Sequence, residues 1–246
     1  MHLLLVNDDG IHAPGIRAVC DAAVKAGHRV SVCAPDRERS AASHSFTLGG
    51  LLSAESADYP GTERAWASDG TPSDCARLGL YLAGDVDAVI SGINNGPNLG
   101  GACIYSGTVG AAMEASMSGV PALASSLQES GRSDYSAAAE LTIRVAEWMM
   151  NHPLRRGEIY NLNVPVSEIR GVKAAVLGPV YLDSAEYTEI ETAEGVKYRY
   201  KSGVNVPVDD PECDVLLIEQ GYATLTKLTW DLKADAPAPD TSGIRW

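Results

Sequence analysis

The chain has 246 residues, of which 45% are hydrophobic and 21% charged, a globular profile with enough apolar material for one large domain. Its formal net charge is -13, its pI is near 4.7, and only 6% of its residues are aromatic. These values exclude a nucleic-acid polymer as the expected partner, because polyanion binding relies on clustered Lys and Arg; a small anionic substrate would need a local cation or a helix N-terminus to neutralise it.

The opening run MHLLLVNDDG lacks the basic start and long apolar stretch of a signal peptide. No apolar run approaches the length of a membrane span, so a cytoplasmic protein with no membrane partner is expected. Leu3 to Val6 reads as a buried strand that ends at Asn7-Asp8-Asp9-Gly10. Pro14 suits the first turn of a helix running to about Ala26 and closed by Gly27. Arg29 to Ala34 is a second strand, followed by the polar loop PDRERSAASHS. Ala65 to Ser68 reads as a strand, and Thr71 and Pro72 then suit the N-cap and first position of a helix. Asp87 to Ser91 is a strand leading into GINNGPNLGG. A helix from about Thr108 to Met117, the strand-like PALASSL and a long helix near Tyr135 to Met150 follow.

Beyond about residue 155 the pattern changes. EIYNLNVP and GVKAAVLGP read as strands, and Tyr181 to Tyr200 alternates as a protruding hairpin does. Asp214 to Ile218 and Ala223 to Trp230 read as further strands, and the tail DAPAPDTSGIRW as extended. Cys20, Cys33, Cys75, Cys103 and Cys213 are odd in number, scattered and without a CxxC pair, which predicts reduced, mostly buried thiols. The rhythm of strand, loop, helix and strand predicts a mostly parallel sheet covered on both faces, with ligands at the carboxyl ends of its strands.

The polar clusters fall at those strand ends. Asp8 and Asp9 offer two carboxylates to a hard cation such as Mg²⁺ or Mn²⁺, although an Asx turn before Pro14 would also use them. Ser40 could ligate the same cation, and Arg37 or Arg39 could meet a phosphate; a solvated loop with local ion pairs is the competing account. Asn94, Asn95 and Asn98 stand among glycines that allow close backbone approach, as a metal or phosphate site would need and as an irregular turn would too. The run Ser106-Gly107-Thr108 opening a helix makes an anion site from free N–H groups, or simply an N-cap. His12 and His44 stand in these loops and could move protons, though a satisfied structural histidine is the better account of each. There is no Walker lysine, HExxH, GxSxG or cysteine-rich zinc pattern.

The blocks LLLVNDDGIHAPGI, VCAPDRERSAASHSFTL, DGTPSDCARLGL, DAVISGINNGPNLG and IYSGTVGAAMEASMSGVPALASS, followed by IYNLNVP, resemble the SurE (stationary-phase survival protein E) family in order and spacing. The resemblance implies a Rossmann-like three-layer α/β/α fold and a metal-dependent phosphomonoesterase acting on nucleoside 5'-monophosphates, with 3'-nucleotides and short polyphosphate as further substrates. It implies metal ligands at Asp8, Asp9, Ser40 and Asn94 for one Mg²⁺ or Mn²⁺ per subunit, with Asp8 and Asp9 as the catalytic pair. It also implies a phosphate pocket at Asn98, Ser106, Gly107 and Thr108. Residues 1–165 would form the catalytic core. Residues 166–246 would complete the sheet and carry a hairpin at about 180–200 and a tail, both used to build a homodimer or homotetramer. The resemblance thins after residue 165: relatives often read EGYVSITPL where this chain reads QGYATLTKL, with Lys227 in place of a proline.

Overall fold

The computed structural model describes residues 1–128, 134–179, 186–200 and 209–231. Its frame is β1 (His2–Val6), whose four apolar side chains divide between two faces. Leu3 and Leu5 join one apolar cluster and Leu4 and Val6 the other, as the two-residue period of a strand buried on both sides requires. Burial contributes roughly 1.5–3 kcal/mol for each such side chain. The first cluster is closed by α1 (Pro14–Lys25) and α4 (Ser136–Met149). The second is closed by α2 (Pro72–Ala83) and α3 (Gly107–Met117). The result is the three-layer α/β/α arrangement expected from the sequence.

The remaining strands are β2 (Arg29–Pro35), β3 (Ala54–Ser56), β4 (Arg64–Ser68), β5 (Ala88–Asn95), β6 (Ala122–Leu127), β7 (Glu158–Val164), β8 (Val172–Ala174) and β11 (Ala223–Thr229). They form one sheet in the order β3-β4-β2-β1-β5-β6-β7-β11-β8. The six strands from β4 to β7 run parallel, while β3 and β11 each pair antiparallel with their inner neighbours. The chain moves outward from β1 to β2 and β4, then returns to place β5 on the other side of β1. The loops after β1 and β5 therefore flank the point where strand order reverses, the usual site of a crevice in such sheets. The β5–β6 ladder shifts register between Ser91 and Asn94, within the strand that carries the asparagine loop.

Two expected elements differ. Asp214 to Ile218 is not a strand but the short helix α5 (Asp214–Glu219). A run of four apolar residues after an aspartate does not discriminate between the two periods, and here Asp214, Leu217 and Ile218 turn inward together at helical spacing. Of GVKAAVLGP only Val172–Ala174 is a strand, exposed at the sheet edge. The edge strand β3 and a 3-10 turn at Gly100–Tyr105 had no distinct signal in the sequence.

The hairpin is present as β9 (Tyr187–Thr192) and β10 (Gly195–Tyr200), a separate two-stranded sheet that is almost wholly exposed. Residues 181–185 of the expected hairpin and the tail at 235–246 lie outside the described residues. All five cysteines are buried and unbridged. Among the described residues no helix is long and apolar enough to cross a membrane.

Candidate functional site

The turn after β1 is held from within. The Asn7 amide donates to the Gly10 carbonyl at 2.8 Å, and the Arg39 backbone N–H donates to the Asp8 carbonyl at 2.7 Å. That second bond lashes the loop after β2 to the loop after β1. Asp8 is 4% exposed, and its carboxylate accepts the Thr108 hydroxyl from the first turn of α3. Asp9 accepts the Asn95 backbone N–H at 3.0 Å. Three strand ends and one helix start thus meet at the two carboxylates.

A cavity of about 270 Å³ opens at this junction. Asp8, Asp9, Ser40, Asn94, Asn98 and Ser106 all line it. Gly107 and Thr108, also expected at the site, do not line it but lie behind it. Thr108 spends its hydroxyl on Asp8, and Gly107 lets the helix approach: a Cβ there would stand 2.9 Å from the Asp8 Cβ and 3.0 Å from its Oδ2. Ser106 is the N-cap of α3, its Oγ accepting the Val109 N–H at 3.0 Å. The capping account of that hydroxyl therefore holds, and the helix start still borders the cavity.

Asn98 is fixed from several directions. Its side-chain nitrogen donates to Ser126 Oγ at 2.8 Å and its N–H donates to Asn163 Oδ1 at 2.7 Å. Its carbonyl accepts the amide nitrogens of Asn161 and Asn163 at 2.9 and 3.0 Å. Asn161 and Asn163 were read from the sequence only as an asparagine-rich strand ending. Their alternation along β7, which puts both on one face, is the signal that they act together. Glu38 is the other residue missed: it lines the cavity and accepts the Ser40 hydroxyl at 2.6 Å.

The electrostatics are those of an acidic pair short of a counter-charge. Burial first, then the Asp8 and Glu38 charges, push the Asp9 carboxyl up to about 6 from an ordinary 3.8. Burial likewise raises Asp8, with the Thr108 hydrogen bond opposing it. None of the residues lining the cavity is Lys or Arg. The two arginines of the β2 loop are turned elsewhere. Arg37 pairs with Asp36 at 3.2 Å, and Arg39 donates to the Asp69 carbonyl and lies 3.6 Å from Asp36. Both arginines thus make local contacts within the loop, and Arg37 also lines a neighbouring cavity with Asp9 and Glu38.

The donors around the cavity are all oxygens: two aspartates, Glu38, the Ser40 hydroxyl and the Asn94 amide, whose nitrogen is engaged by the Gly96 carbonyl at 2.8 Å. Such a set fits a hard divalent cation and suits neither zinc nor copper. Among the described residues no group of three or more His, Cys, Asp and Glu side chains forms a metal site, so Ser40 and Asn94 matter to the fit. His12 is exposed beside a neighbouring cavity that shares Asp9 and Glu38. His44 is engaged by the buried Glu114 carboxylate at 2.8 Å, which Arg77 also approaches at 3.3 Å.

Known proteins resemble this chain in sequence and in fold. The family model described as "Survival protein SurE" matches residues 3–183. The 5'-nucleotidase SurE of Synechococcus sp. (strain JA-3-3Ab) is 40% identical over 246 residues, covering 96% of this chain and 94% of that protein. The 5'/3'-nucleotidase SurE of Photorhabdus laumondii is 39% identical over 239 residues, covering 95% and 92%. The crystal structure of the SurE protein from Aquifex aeolicus superposes with a TM-score of 0.78 at 32% identity, covering 95% of each chain.

Proposed function

This chain belongs to the SurE family, and on that premise we propose that it is a divalent-cation-dependent phosphomonoesterase releasing phosphate from nucleoside 5'-monophosphates, with 3'-nucleotides and short polyphosphate as lesser substrates. The observation that carries the reading is the gathering of Asp8, Asp9, Ser40 and Asn94 around one cavity free of basic side chains, at the strand-order reversal of the sheet. These four residues would hold one Mg²⁺ or Mn²⁺. When bound, the cation supplies a Lewis acid for the phosphoryl oxygens and an activated water.

The chain's own residues do the rest. Thr108 holds Asp8 in place by donating its hydroxyl to one carboxylate oxygen, and Asp8 still lines the cavity. The Asn95 N–H holds one oxygen of Asp9, so the second is left to orient the attacking water and take its proton. Ser106, at the N-terminus of α3, and Asn98, whose amide is held by Ser126, line the cavity and would face the phosphate oxygens, with the helix dipole behind them. The acidic protein would thus bind a dianion through a cation and a helix dipole.

We take the molecule as one cytoplasmic domain, its core at 1–165, that assembles as a homodimer or homotetramer through the hairpin and tail. The test of the activity is phosphate release from 5'- and 3'-nucleoside monophosphates with Mg²⁺, Mn²⁺ or EDTA, using wild type and Asp8→Asn. Metal-dependent release that falls about 10³-fold or more in the variant is expected, since several kcal/mol of transition-state stabilisation depends on the ligand set. Metal-dependent nucleotide binding without turnover would instead mark a nucleotide sensor.

A further inference from the structure

Far along the chain from the cavity, Asp214 is a fully buried carboxylate at the start of α5. Its Oδ2 accepts the Gly100 N–H at 2.9 Å, and its Oδ1 accepts the N–H groups of Gly178 at 2.7 Å and Val215 at 2.9 Å. Three backbone donors from three segments meet on one side chain, and the segments are not equivalent. Gly100 opens the 3-10 turn whose far end, with Ser106, forms the wall of the cavity, and it follows Asn98 by two residues.

Gly178 and Asp214 lie where the chain leaves for the hairpin and where it returns. These two segments are joined at their base. The Val176 N–H donates to the Glu212 carbonyl at 3.2 Å, and the Asp214 N–H donates to the Val176 carbonyl at 2.9 Å. Gly178 is required there, because a Cβ would lie 2.9 Å from Val215 Cγ2 and 3.1 Å from Asp214 Oδ1. A second thread reaches the same turn: Cys103 lies close enough for the Asp214 charge to help burial hold its thiol up at about 12, and its Sγ–H donates to the Asn98 carbonyl at 3.3 Å.

We propose that Asp214 is a positioning residue for the reaction: it holds the turn from Asn98 to Ser106 in register by fastening Gly100 to the base of the hairpin arm. The proposal rests on the reading that this cavity binds the nucleotide. A hydrogen bond from a backbone N–H to a buried carboxylate is of the strong, charge-assisted kind, and removing one partner leaves the other unsatisfied out of reach of water. Its loss should release the turn and weaken substrate binding about tenfold, with little effect on the carboxylates that carry the chemistry.

The experiment compares wild type with Asp214→Asn, which keeps the shape but turns an NH₂ toward one set of donors. It uses AMP hydrolysis under saturating Mn²⁺ together with hydrogen-exchange mass spectrometry. The expected result is a KM raised about tenfold with kcat within about threefold, and faster exchange confined to peptides spanning 96–106 and 176–178. A lower Tm with unchanged KM and unchanged exchange at 96–106 would make Asp214 a stabilising group only and overturn the proposal. Should wild type release no phosphate, the functional reading fails on its own. The exchange data still decide the matter, since faster exchange at 96–106 supports the fastening and unchanged exchange refutes it. Should Asp214→Asn not fold, the Gly100 amide of wild type is read directly by NMR exchange: slow exchange supports the bond, and exchange as fast as that of an open loop refutes it.

Discussion

Two acidic centres of this molecule, Asp214 and the pair of buried Asp8 and half-buried Asp9, are built in opposite ways. At Asp214 the chain itself supplies three N–H donors, so the carboxylate's lone pairs are consumed within the fold. At Asp8 the donors are the Thr108 hydroxyl and the backbone of Asp8 and Thr108, and at Asp9 the Asn95 N–H; Glu38 stands nearby, and both carboxylates line a cavity without a basic side chain. Burial raises the carboxyl pKa at all three positions. The difference teaches that burial alone does not mark a carboxylate open to a ligand; facing a cavity rather than donors of the fold does.

The sharpest way to break that contrast is Gly107→Ala. The new methyl would have to occupy space 2.9 Å from the Asp8 Cβ, with Pro72 Cγ 3.0 Å away on another side. Asp8 must move or α3 must retreat, and a ligand displaced by about an ångström costs on the order of 10² in turnover. We expect kcat/KM to fall about that far while the protein remains folded. Unchanged kinetics in a folded variant would mean that the close approach of α3 to Asp8 is not what sets the carboxylate.

A smaller effect separates the centres by pH. The folded pKa of Asp9, about 6, lies above the ordinary 3.8, so the fold favours its protonated form. The stability it contributes is fully present below about pH 3.8 and is lost as the pH rises through about 6. A bound cation should remove that loss, because it favours the ionised pair. Thermal melts in EDTA and in Mg²⁺ or Mn²⁺ should therefore diverge as the pH passes from 4 to 7. Parallel curves would show that the pair is not short of a counter-charge.

The two centres also differ in how far the sequence discloses them. Asp8 and Asp9 end a strand whose apolar run and turn residues are local, so both the element and its exposed end are legible from a few neighbouring letters. Asn94, Asn98 and Ser40 become legible by the same logic, since each follows a strand that the parallel topology aims at one edge. The capping box of α2, with Thr71 and Asp74, is equally local. Asp214 was placed on a strand because Asp-Val-Leu-Leu-Ile is compatible with either period, and its partners Gly100 and Gly178 lie 114 and 36 residues away. Long-range satisfaction of a buried carboxylate leaves no spacing to read. Glu38 was missed for a related reason: within DRERS it resembles a solvated charge, and only the crossing of the β2 loop over Asp8 brings it to the cavity.

The smallest expected effect on catalysis lies at the hairpin, which bears on what Asp214 fastens. Among the described residues strands β9 and β10 pair only with each other, and Tyr187, Val196 and Tyr198 are exposed large side chains on them. A two-stranded ribbon is marginal by itself in water, and a ribbon carrying that much apolar surface is accounted for if another subunit covers it. Val196→Ser with Tyr198→Ser removes contacts with a partner but almost none within the subunit. Activity per subunit and the unfolding midpoint of the dissociated chain should stay within the small range of surface changes, about 0.5 kcal/mol. Elution on gel filtration should shift toward a smaller species. An unchanged elution volume would separate the hairpin from assembly. It would leave the Asp214 fastening as a device internal to one subunit, because the bonds to Gly100 and Gly178 do not depend on what the arm touches.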